Sequence, residues 1–144
     1  MKHLLIIDDD AVSVLILKKM LVNAGFLDIP MVFQNGNIAV EFLNKNYNSN
    51  DFYCIFLDIN MPIMNGWEFL DIIEPTINPT NFLVYLLTSS TSEQEKAKAK
   101  NYKCIKRFIS KPINKEILNE IKEKFIENIS LKIYKEAGNS ISYK

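Results

Sequence analysis

Hydrophobic and polar positions alternate along this chain with two different periodicities. Five short apolar runs have the length and the β-branched and aromatic content of strands: residues 3–8, 30–34, 52–58, 82–88 and 106–109. Apolar residues at helical spacing follow each run and predict five helices: residues 11–24, 37–46, 66–74, 92–101 and from 115 onward. Strands that alternate with helices indicate a parallel sheet with helices on both faces. The predicted fold is therefore a doubly wound, five-stranded α/β domain.

Local signals predict where several helices begin and end. Asp10 precedes the first helix as an expected N-cap, and Gly25 follows its last apolar position. Ser92 with Glu95 three residues later predicts a capping box at the fourth helix. Pro75 predicts the end of the third helix.

The last helix is predicted to run past the compact domain. Its apolar spacing continues through five positions: Ile117, Ile121, Phe125, Ile129 and Ile133. Gly138 is the expected end of this helix. We therefore expect one domain over residues 1–128 and an extension over 129–144, made of a helix continuation and a frayed tail. No output domain is expected after residue 128.

Composition and length are typical of one soluble globular domain. The 144 residues are 48% hydrophobic and 24% charged. No apolar run approaches the roughly 20 residues of a membrane span, and Lys2 and His3 are followed by too few apolar residues for a signal peptide. Cys54 and Cys104 give no disulfide framework. We expect a cytoplasmic, reduced protein that does not associate with membranes.

Charge is balanced overall but unevenly distributed. The formal net charge is zero, which gives no indication of nucleic-acid binding. Residues 1–89 carry a net charge of −6 and residues 90–144 a net charge of +6. The basic half is explained by solvated helix faces or by a partner-binding face, and the sequence leaves both open.

Polar side chains stand at the ends of the predicted strands. Asp8 and Asp9 end the first strand, Asp58 ends the third, Thr88 ends the fourth, and Lys111 follows the fifth. Because the carboxyl ends of parallel strands meet at one edge of a sheet, we expect these five residues to lie together. Each has a simple structural explanation alone, but five groups of complementary chemistry at one edge favour a site.

The chemistry of this set indicates phosphoryl transfer. Two carboxylates about 4 Å apart repel by roughly 4 kcal/mol at an effective dielectric constant of 20, so three of them favour a divalent cation. All-oxygen ligands select Mg²⁺, with Mn²⁺ or Ca²⁺ possible. Lys111 and Thr88 suit phosphoryl oxygens, and Asp58 is a candidate nucleophile. These groups are what formation of an aspartyl phosphate requires.

Four motifs resemble those of the receiver domain of two-component response regulators: Ile6-Ile7-Asp8-Asp9, Leu57-Asp58-Ile59-Asn60-Met61-Pro62, Leu87-Thr88-Ser89 and Ser110-Lys111-Pro112. The resemblance covers residues 3–128 and is nearest to single-domain, chemotaxis-regulator-like receivers. It implies the flavodoxin-like strand order 2-1-3-4-5.

The resemblance also implies roles for the site residues. Asp58 is similar to the phosphoacceptor, and Asp9 and Asp58 to direct Mg²⁺ ligands, together with the backbone carbonyl of Asn60. Asp8 would act through water. Lys111 is similar to the lysine that pairs with the phosphoryl group, and its bond to Pro112 is expected to be cis.

Two further residues are similar to the switch of the family. Thr88 corresponds to the hydroxyl that moves to the phosphate, and Phe108 to the aromatic rotamer switch, here without a hydroxyl. Plain core packing is the alternative explanation of Phe108. Asn65-Gly66 replaces a frequent Asp-Gly, with Gly66 expected to supply an unusual backbone angle.

The resemblance implies a single-domain response regulator. Such a protein is not an enzyme and catalyses only its own phosphorylation and dephosphorylation. Its donor would be a histidine kinase or a histidine phosphotransfer protein, and its output an unknown protein that binds a basic face. That face contains Lys96, Lys98, Lys100, Lys106 and Arg107. We expect a monomer or weak dimer.

Three alternatives remain open from the sequence. The chain could be an intermediate receiver of a phosphorelay, or a degenerate receiver that serves only as a binding module. An aspartate-nucleophile phosphatase of the haloacid dehalogenase type is the third, although it requires an acid where this chain has Asn60. Asn60 and Ser90 occupy positions that tune phosphate lifetime in the receiver family, and their small side chains favour a lifetime of seconds to minutes.

Overall fold

A five-stranded parallel sheet forms the centre of the protein in a computed structural model, which describes residues 1–90 and 92–138. The strands are β1 (Lys2–Ile7), β2 (Met31–Phe33), β3 (Phe52–Asp58), β4 (Phe82–Thr88) and β5 (Ile105–Ser110). Their order is β2-β1-β3-β4-β5, and every neighbouring pair is parallel. The predicted flavodoxin-like α/β fold is confirmed.

Five helices connect and cover these strands. They are α1 (Ala11–Asn23), α2 (Gly36–Asn46), α3 (Gly66–Ile73), α4 (Glu93–Ala99) and α5 (Lys115–Glu136). A single 3₁₀ turn over Glu74–Thr76 follows α3, with Pro75 in its first turn, where a proline is tolerated. No helix in the described ranges is long and apolar enough to cross a membrane.

The two faces of the sheet carry separate apolar clusters. Leu5, Ile55 and Leu57 belong to the cluster that includes residues of α2 and α3, whereas Leu4 and Phe56 belong to the cluster that includes residues of α1 and α5. All residues of β3 and β4 are buried because these central strands are covered on both faces. The carboxyl ends of β3 and β4 are therefore held by the best-packed part of the molecule.

Helix caps differ in one respect from the expectation. The Asp10 side chain accepts hydrogen bonds from the N–H groups of Val12 and Ser13, as predicted. At α4, the Ser92 side chain accepts from the Glu95 N–H, but the Ser92 N–H donates to the Ser90 hydroxyl. Because the Ser92 N–H donates to Ser90, it does not donate to the Glu95 carboxylate, and the predicted capping box was wrong in this respect.

The reason for glycine at position 66 also differs from the expectation. Positive φ angles among the described glycines occur at Gly25 and Gly138, not at Gly66. A Cβ atom on Gly66 would lie 2.7 Å from the carbonyl oxygen of Asp58 and 2.9 Å from Cα of Ile59. The close approach of α3 to the end of β3 therefore requires this glycine, and no unusual backbone angle is involved. The cap Asn65 and Glu68 form a full capping box, which anchors this junction.

The last helix extends beyond the sheet. Phe125 packs in the core, whereas Ile133 is 61% exposed and α5 continues to Glu136. Gly138, the expected end of this helix, has a positive φ of +59°. The expected tail over 139–144 and the side chain of Ile129 lie outside the described residues, and the division at residue 128 stays a prediction.

We expect Gly66→Ala to destabilise the protein by about 2 kcal/mol, because the added methyl group overlaps backbone atoms that cannot move without displacing β3. Urea unfolding measures the loss. Gly138→Ala is a comparison of a different kind, because its methyl group meets no atom within 4 Å, whereas its φ of +59° strains an alanine by about 1–2 kcal/mol. An unchanged free energy of unfolding in Gly66→Ala would show that close packing is not the reason for Gly66.

Candidate functional site

The carboxyl ends of β1 and β3 bring three acids together. Asp8 and Asp9 follow the last residue of β1, and Asp58 is the last residue of β3. The register pairs Ile7 with Leu57, which places Asp8 beside Asp58. One carboxylate oxygen from each acid lies within 4.8 Å of the others. The structure thus confirms that the three predicted acids share one location.

Lys111 is the basic residue that forms ion pairs with this cluster in the described part of the chain. Its Nζ lies 3.0 Å from Oδ2 of Asp8 and 3.7 Å from Oδ2 of Asp58. Its backbone N–H donates to the carbonyl oxygen of Thr88 at 2.8 Å, which ties the loop after β5 to the end of β4. The Lys111–Pro112 peptide bond is cis, as the resemblance implies.

Asp58 lies in an environment that opposes its ionisation. Burial is the largest cause that raises its pKa, to about 6, and the adjacent charge of Asp8 acts in the same direction. The charge of Lys111 and a backbone hydrogen bond from Asn60 oppose this rise. The carboxyl group is therefore half protonated near pH 6 in the absence of a cation, and it ionises fully only at higher pH.

The acids fit a divalent cation. Three carboxylates and one ammonium group leave a net charge of −2 within a few ångströms when all are ionised. Asp8 and Asp58 are buried, while Asp9 is exposed at the mouth of the cluster. Oxygen ligands without histidine or cysteine are those that Mg²⁺ and Mn²⁺ prefer. The predicted ligand set of Asp9, Asp58 and the Asn60 carbonyl stays a prediction.

The two predicted switch residues lie on β4 and β5. Thr88 is fully buried, and its hydroxyl oxygen accepts a hydrogen bond from the Ser90 N–H at 3.1 Å. Phe108 pairs with Leu86 across the strands and packs, partly buried, against the cluster on the α2 and α3 face. This packing is compatible with both explanations of Phe108, and its role as a switch stays a prediction.

The structure adds contacts that the sequence reasoning missed. The shorter ion pair of Lys111 is with Asp8, whereas the resemblance directed attention to the phosphoryl group on Asp58. The Ser90 hydroxyl accepts from the Ser92 N–H and so connects the end of β4 to the cap of α4. The closely spaced serines at 89, 90 and 92 are the signal that could have indicated such a connection.

Comparison with known proteins gives consistent results. The family model for the response regulator receiver domain matches residues 4–123. A curated relative from Porphyra purpurea, a probable transcriptional regulator named ycf29, is 29% identical over 99% of this chain and 61% of its own length. A hybrid signal transduction histidine kinase I from Dictyostelium discoideum is 29% identical over 83% of this chain and 7% of its own.

A solved structure is similar throughout the described fold. The crystal structure of a two-component response regulator from Cytophaga hutchinsonii superimposes with a TM-score of 0.75 at 28% identity, covering 88% of this chain and 98% of that chain. The chain spans 61% and 7% of the two curated relatives. Activities of those whole proteins therefore do not transfer to it directly.

Burial of Asp58 predicts a pH-dependent effect of Asp58→Asn on stability. A carboxyl group with a folded-state pKa of about 6 and an ordinary value of 3.8 keeps its proton in the folded chain after the unfolded chain has lost it. Metal-free wild-type protein should thus lose stability as pH rises from about 4 to about 6. In the presence of a chelator, Asp58→Asn should gain about 2 kcal/mol relative to wild type between pH 4.5 and pH 7.5.

Asp10→Asn is the control for this measurement. Hydrogen bonds from the backbone of Ser13 and then Val12 lower the pKa of Asp10, so its contribution to stability is present above pH 4 and is lost at lower pH. Relative to wild type, the stability of this variant should therefore stay nearly constant between pH 4.5 and pH 7.5 and should change only below about pH 4. A pH-independent difference between Asp58→Asn and wild type would contradict the assigned environment of Asp58.

Proposed function

Since the chain belongs to the receiver-domain family of two-component response regulators, we propose that Asp58 accepts a phosphoryl group from a phosphohistidine donor. The observation that carries this proposal is the buried Asp58 carboxylate at the end of β3, beside two further acids and 3.7 Å from the ammonium group of Lys111. Family membership implies that the donor is a histidine kinase or a phosphotransfer protein.

The proposed reaction is an in-line displacement at phosphorus. An oxygen of Asp58 attacks the phosphorus atom, and the bond between phosphorus and the donor histidine breaks. The electron pair of that bond stays on the histidine nitrogen, which then takes a proton from solvent. Lys111, whose Nζ lies 3.7 Å from Oδ2 of Asp58, donates to an equatorial phosphoryl oxygen and stabilises the charge that accumulates there.

Asp8, Asp9 and Asp58 would hold the divalent cation that such a reaction needs, with Asp8 acting through water. Bound there, Mg²⁺ or Mn²⁺ supplies positive charge that reduces the repulsion between the acids and the phosphoryl oxygens. The net charge of −2 at the site and its all-oxygen ligands support this assignment. Ionisation of Asp58 is needed both for this binding and for nucleophilic attack, so the affinity for the cation should fall as pH drops below 6.

The proposed response to phosphorylation involves Thr88 and Phe108. Thr88 turns its hydroxyl to a phosphoryl oxygen and gives up the hydrogen bond that it accepts from Ser90. The space it leaves accommodates the ring of Phe108, which is only partly buried before the change. A local charge thus shifts an equilibrium between two arrangements of the surface formed by α4, β5 and α5.

The proposed output is a protein contact at the basic face around α4 and β5, with onward phosphotransfer as the alternative. Contacts within the chain already engage three of the basic side chains on that face. Arg107 pairs with Glu120, Lys96 pairs with Glu93, and Lys98 lies over the ring of Trp67. The face is thus less basic toward a partner than its lysine count indicates, which favours a contact of mixed polarity.

We propose a signalling module with no separate substrate. A phosphatase that uses an aspartate nucleophile needs an acid/base two residues later, and this chain has an amide there, Asn60. The intact acids, Thr88 and Lys111 argue against a receiver that only binds.

Replacing Asp58 by Asn should abolish phosphate uptake from acetyl phosphate in the presence of Mg²⁺. The measurement is phosphate incorporation that is labile to hydroxylamine, as expected for an acyl phosphate. Asp10→Asn should be labelled like wild type, because that carboxylate caps α1 and Asn caps equally well. Addition of a chelator should stop labelling of wild type. Labelling of Asp58→Asn at the wild-type level would refute the assignment of the phosphoacceptor.

The phosphorylated protein should have a half-life of seconds to minutes. Asn60 is exposed and the Ser90 side chain is small, so an attacking water can reach the phosphoryl group. Decay after removal of acetyl phosphate measures this lifetime. Asn60→Arg should lengthen it by covering the group, whereas Ile63→Arg, in the same loop and 80% exposed, should not. A wild-type half-life of many hours would contradict the interpretation.

A further inference from the structure

Strand β2 is the one strand of the described sheet to whose end the proposed function assigns no residue. The chain leaves β2 after Phe33 and enters α2 at Gly36, with Asn35 as the N-cap. The end of β2 is nevertheless bonded to the site, because the Asp8 N–H donates to the carbonyl oxygen of Phe33 at 3.0 Å. The junction between β2 and α2 can therefore act on the site through other residues.

Asn35 holds this junction in place. It is buried, and its Oδ1 accepts a hydrogen bond from the Ile38 N–H at 3.0 Å, which satisfies one of the free donors at the start of α2. The carbonyl oxygen of Asn35 accepts a further bond from the Ala39 N–H at 3.4 Å. Gly36 thus occupies the first position of a helix whose start is capped and buried.

Gly36 packs against Met64, which belongs to the segment between β3 and α3. The Gly36 N–H donates to the carbonyl oxygen of Met64 at 3.4 Å. A Cβ atom on Gly36 would lie 3.0 Å from Cγ, 3.1 Å from Sδ and 3.1 Å from the carbonyl oxygen of Met64. Gly36 is not among the glycines with positive φ. Close approach to Met64, and no special backbone angle, therefore explains the glycine.

The segment that contains Met64 also contains a residue of the proposed site. We call residues 59–65 the β3–α3 loop. It begins directly after Asp58 and carries Asn60, whose backbone N–H donates to the Asp58 carboxylate and whose carbonyl oxygen is the expected cation ligand. A displacement of Met64 would therefore be passed along the loop to Asn60.

The backbone of the β3–α3 loop is strained next to Met64. Ile63 has a φ of +70°, which β-branched residues rarely adopt, and the Met64 N–H donates to the carbonyl oxygen of Pro62 at 2.7 Å. Such a conformation persists only where the surroundings hold it. Ile63 is 80% exposed, so its own packing contributes little. The contact between Met64 and Gly36 is one that can hold the loop in this shape.

We propose that Gly36 is a positioning residue for the cation: its packing against the backbone of Met64 holds the β3–α3 loop so that the Asn60 carbonyl oxygen lies at the acids. The proposal rests on the proposed function, because it requires a cation that binds Asp9, Asp58 and this carbonyl oxygen. Gly36 contacts neither the cation nor the phosphoryl group in this proposal and acts only through Met64. The end of β2 thereby contributes to the site without a ligand of its own.

Gly36→Ala should weaken Mn²⁺ binding by the full-length chain about threefold to tenfold, near the lower end of what changes in groups that orient metal ligands cause. The added methyl group overlaps the carbonyl oxygen of Met64, which can move only together with the loop. Titration with Mn²⁺, followed by the electron paramagnetic resonance of the free ion, measures the affinity. An affinity within about twofold of wild type would overturn the proposal.

Ala39→Gly is the matched control for loss of stability. Ala39 lies one turn further along α2, is fully buried and packs in the core cluster on this face of the sheet. Glycine there weakens the helix, so the variant should lower the midpoint of urea unfolding, yet leave Mn²⁺ affinity within about twofold of wild type. Equal weakening of Mn²⁺ binding in both variants would mean that Gly36 only stabilises α2, contrary to the proposal.

A double variant identifies the part of Met64 that Gly36 acts on. Met64→Ala removes Cγ and Sδ but keeps the carbonyl oxygen, so it relieves two of the three overlaps with the new methyl group. Gly36→Ala combined with Met64→Ala should therefore bind Mn²⁺ as weakly as Gly36→Ala alone. Recovery of wild-type affinity in the double variant would show that the side chain transmits the effect and the loop backbone does not, which the proposal excludes.

The effect on the loop is also measurable without a metal. In the presence of a chelator, the amide proton resonance of Asn60 should move to higher field in Gly36→Ala, because its hydrogen bond to Asp58 becomes longer. The same resonance should keep its wild-type position in Ala39→Gly. An unmoved Asn60 resonance in Gly36→Ala would refute the positioning role.

Mn²⁺ binding by wild type and by Asp58→Asn distinguishes failure of the positioning role from failure of the proposed function. Absence of binding in wild type, or equal binding by Asp58→Asn, would reject the proposed cation site and the positioning role with it. Binding that depends on Asp58 but is not weakened in Gly36→Ala would reject the positioning role alone.

Discussion

Burial of Asp8 and Asp58 side by side is the constraint on which this site depends. Both carboxylates are buried, and Lys111 is the ammonium group that lies between them. The parallel topology forces this arrangement, because the ends of β1 and β3 are neighbours in the sheet and point to the same edge. The raised pKa of Asp58 shows that one lysine does not balance the burial of two acids. The fold therefore maintains a site that favours the arrival of positive charge.

The rest of the domain holds these groups in place although burial of two neighbouring acids is unfavourable. The central strands β3 and β4 are buried along their whole length. Gly66 lets α3 approach the backbone of Asp58 closely, and the box of Asn65 and Glu68 fixes the start of that helix. Groups held rigidly near one another cannot relax apart, so their electrostatic energy stays available for binding a cation or a phosphoryl group.

How well the sequence predicts this structure depends on how strongly each element is packed. The bounds of β3 and β4 were predicted to the residue, because full burial leaves a continuous apolar run that ends on Asp58 and on Thr88. Predictions were less accurate for β2 and α4, where partial exposure leaves a weaker pattern: Met31 and Val32 of β2 are more than a third exposed, and α4 buries one residue. The three acids were predicted together because topology alone determines their location. The closer pairing of Lys111 with Asp8 was not predicted. It joins residues 103 positions apart and depends on side-chain geometry, which no local sequence pattern encodes.

The contrast between a rigid sheet and a weakly packed α4 has a consequence for signalling. A charge added at Asp58 can change the shape of the protein only where the structure has a second arrangement of similar energy, and a closely packed core does not provide one. Strands β3 and β4 are buried along their whole length, whereas α4 buries only Ala99 among its seven residues. The hydrogen bond from Ser90 to Thr88 lies where these two parts meet. In the proposed function, loss of that single bond would change little in the stability of the sheet and would remove one of the hydrogen bonds that connect the end of β4 to the start of α4.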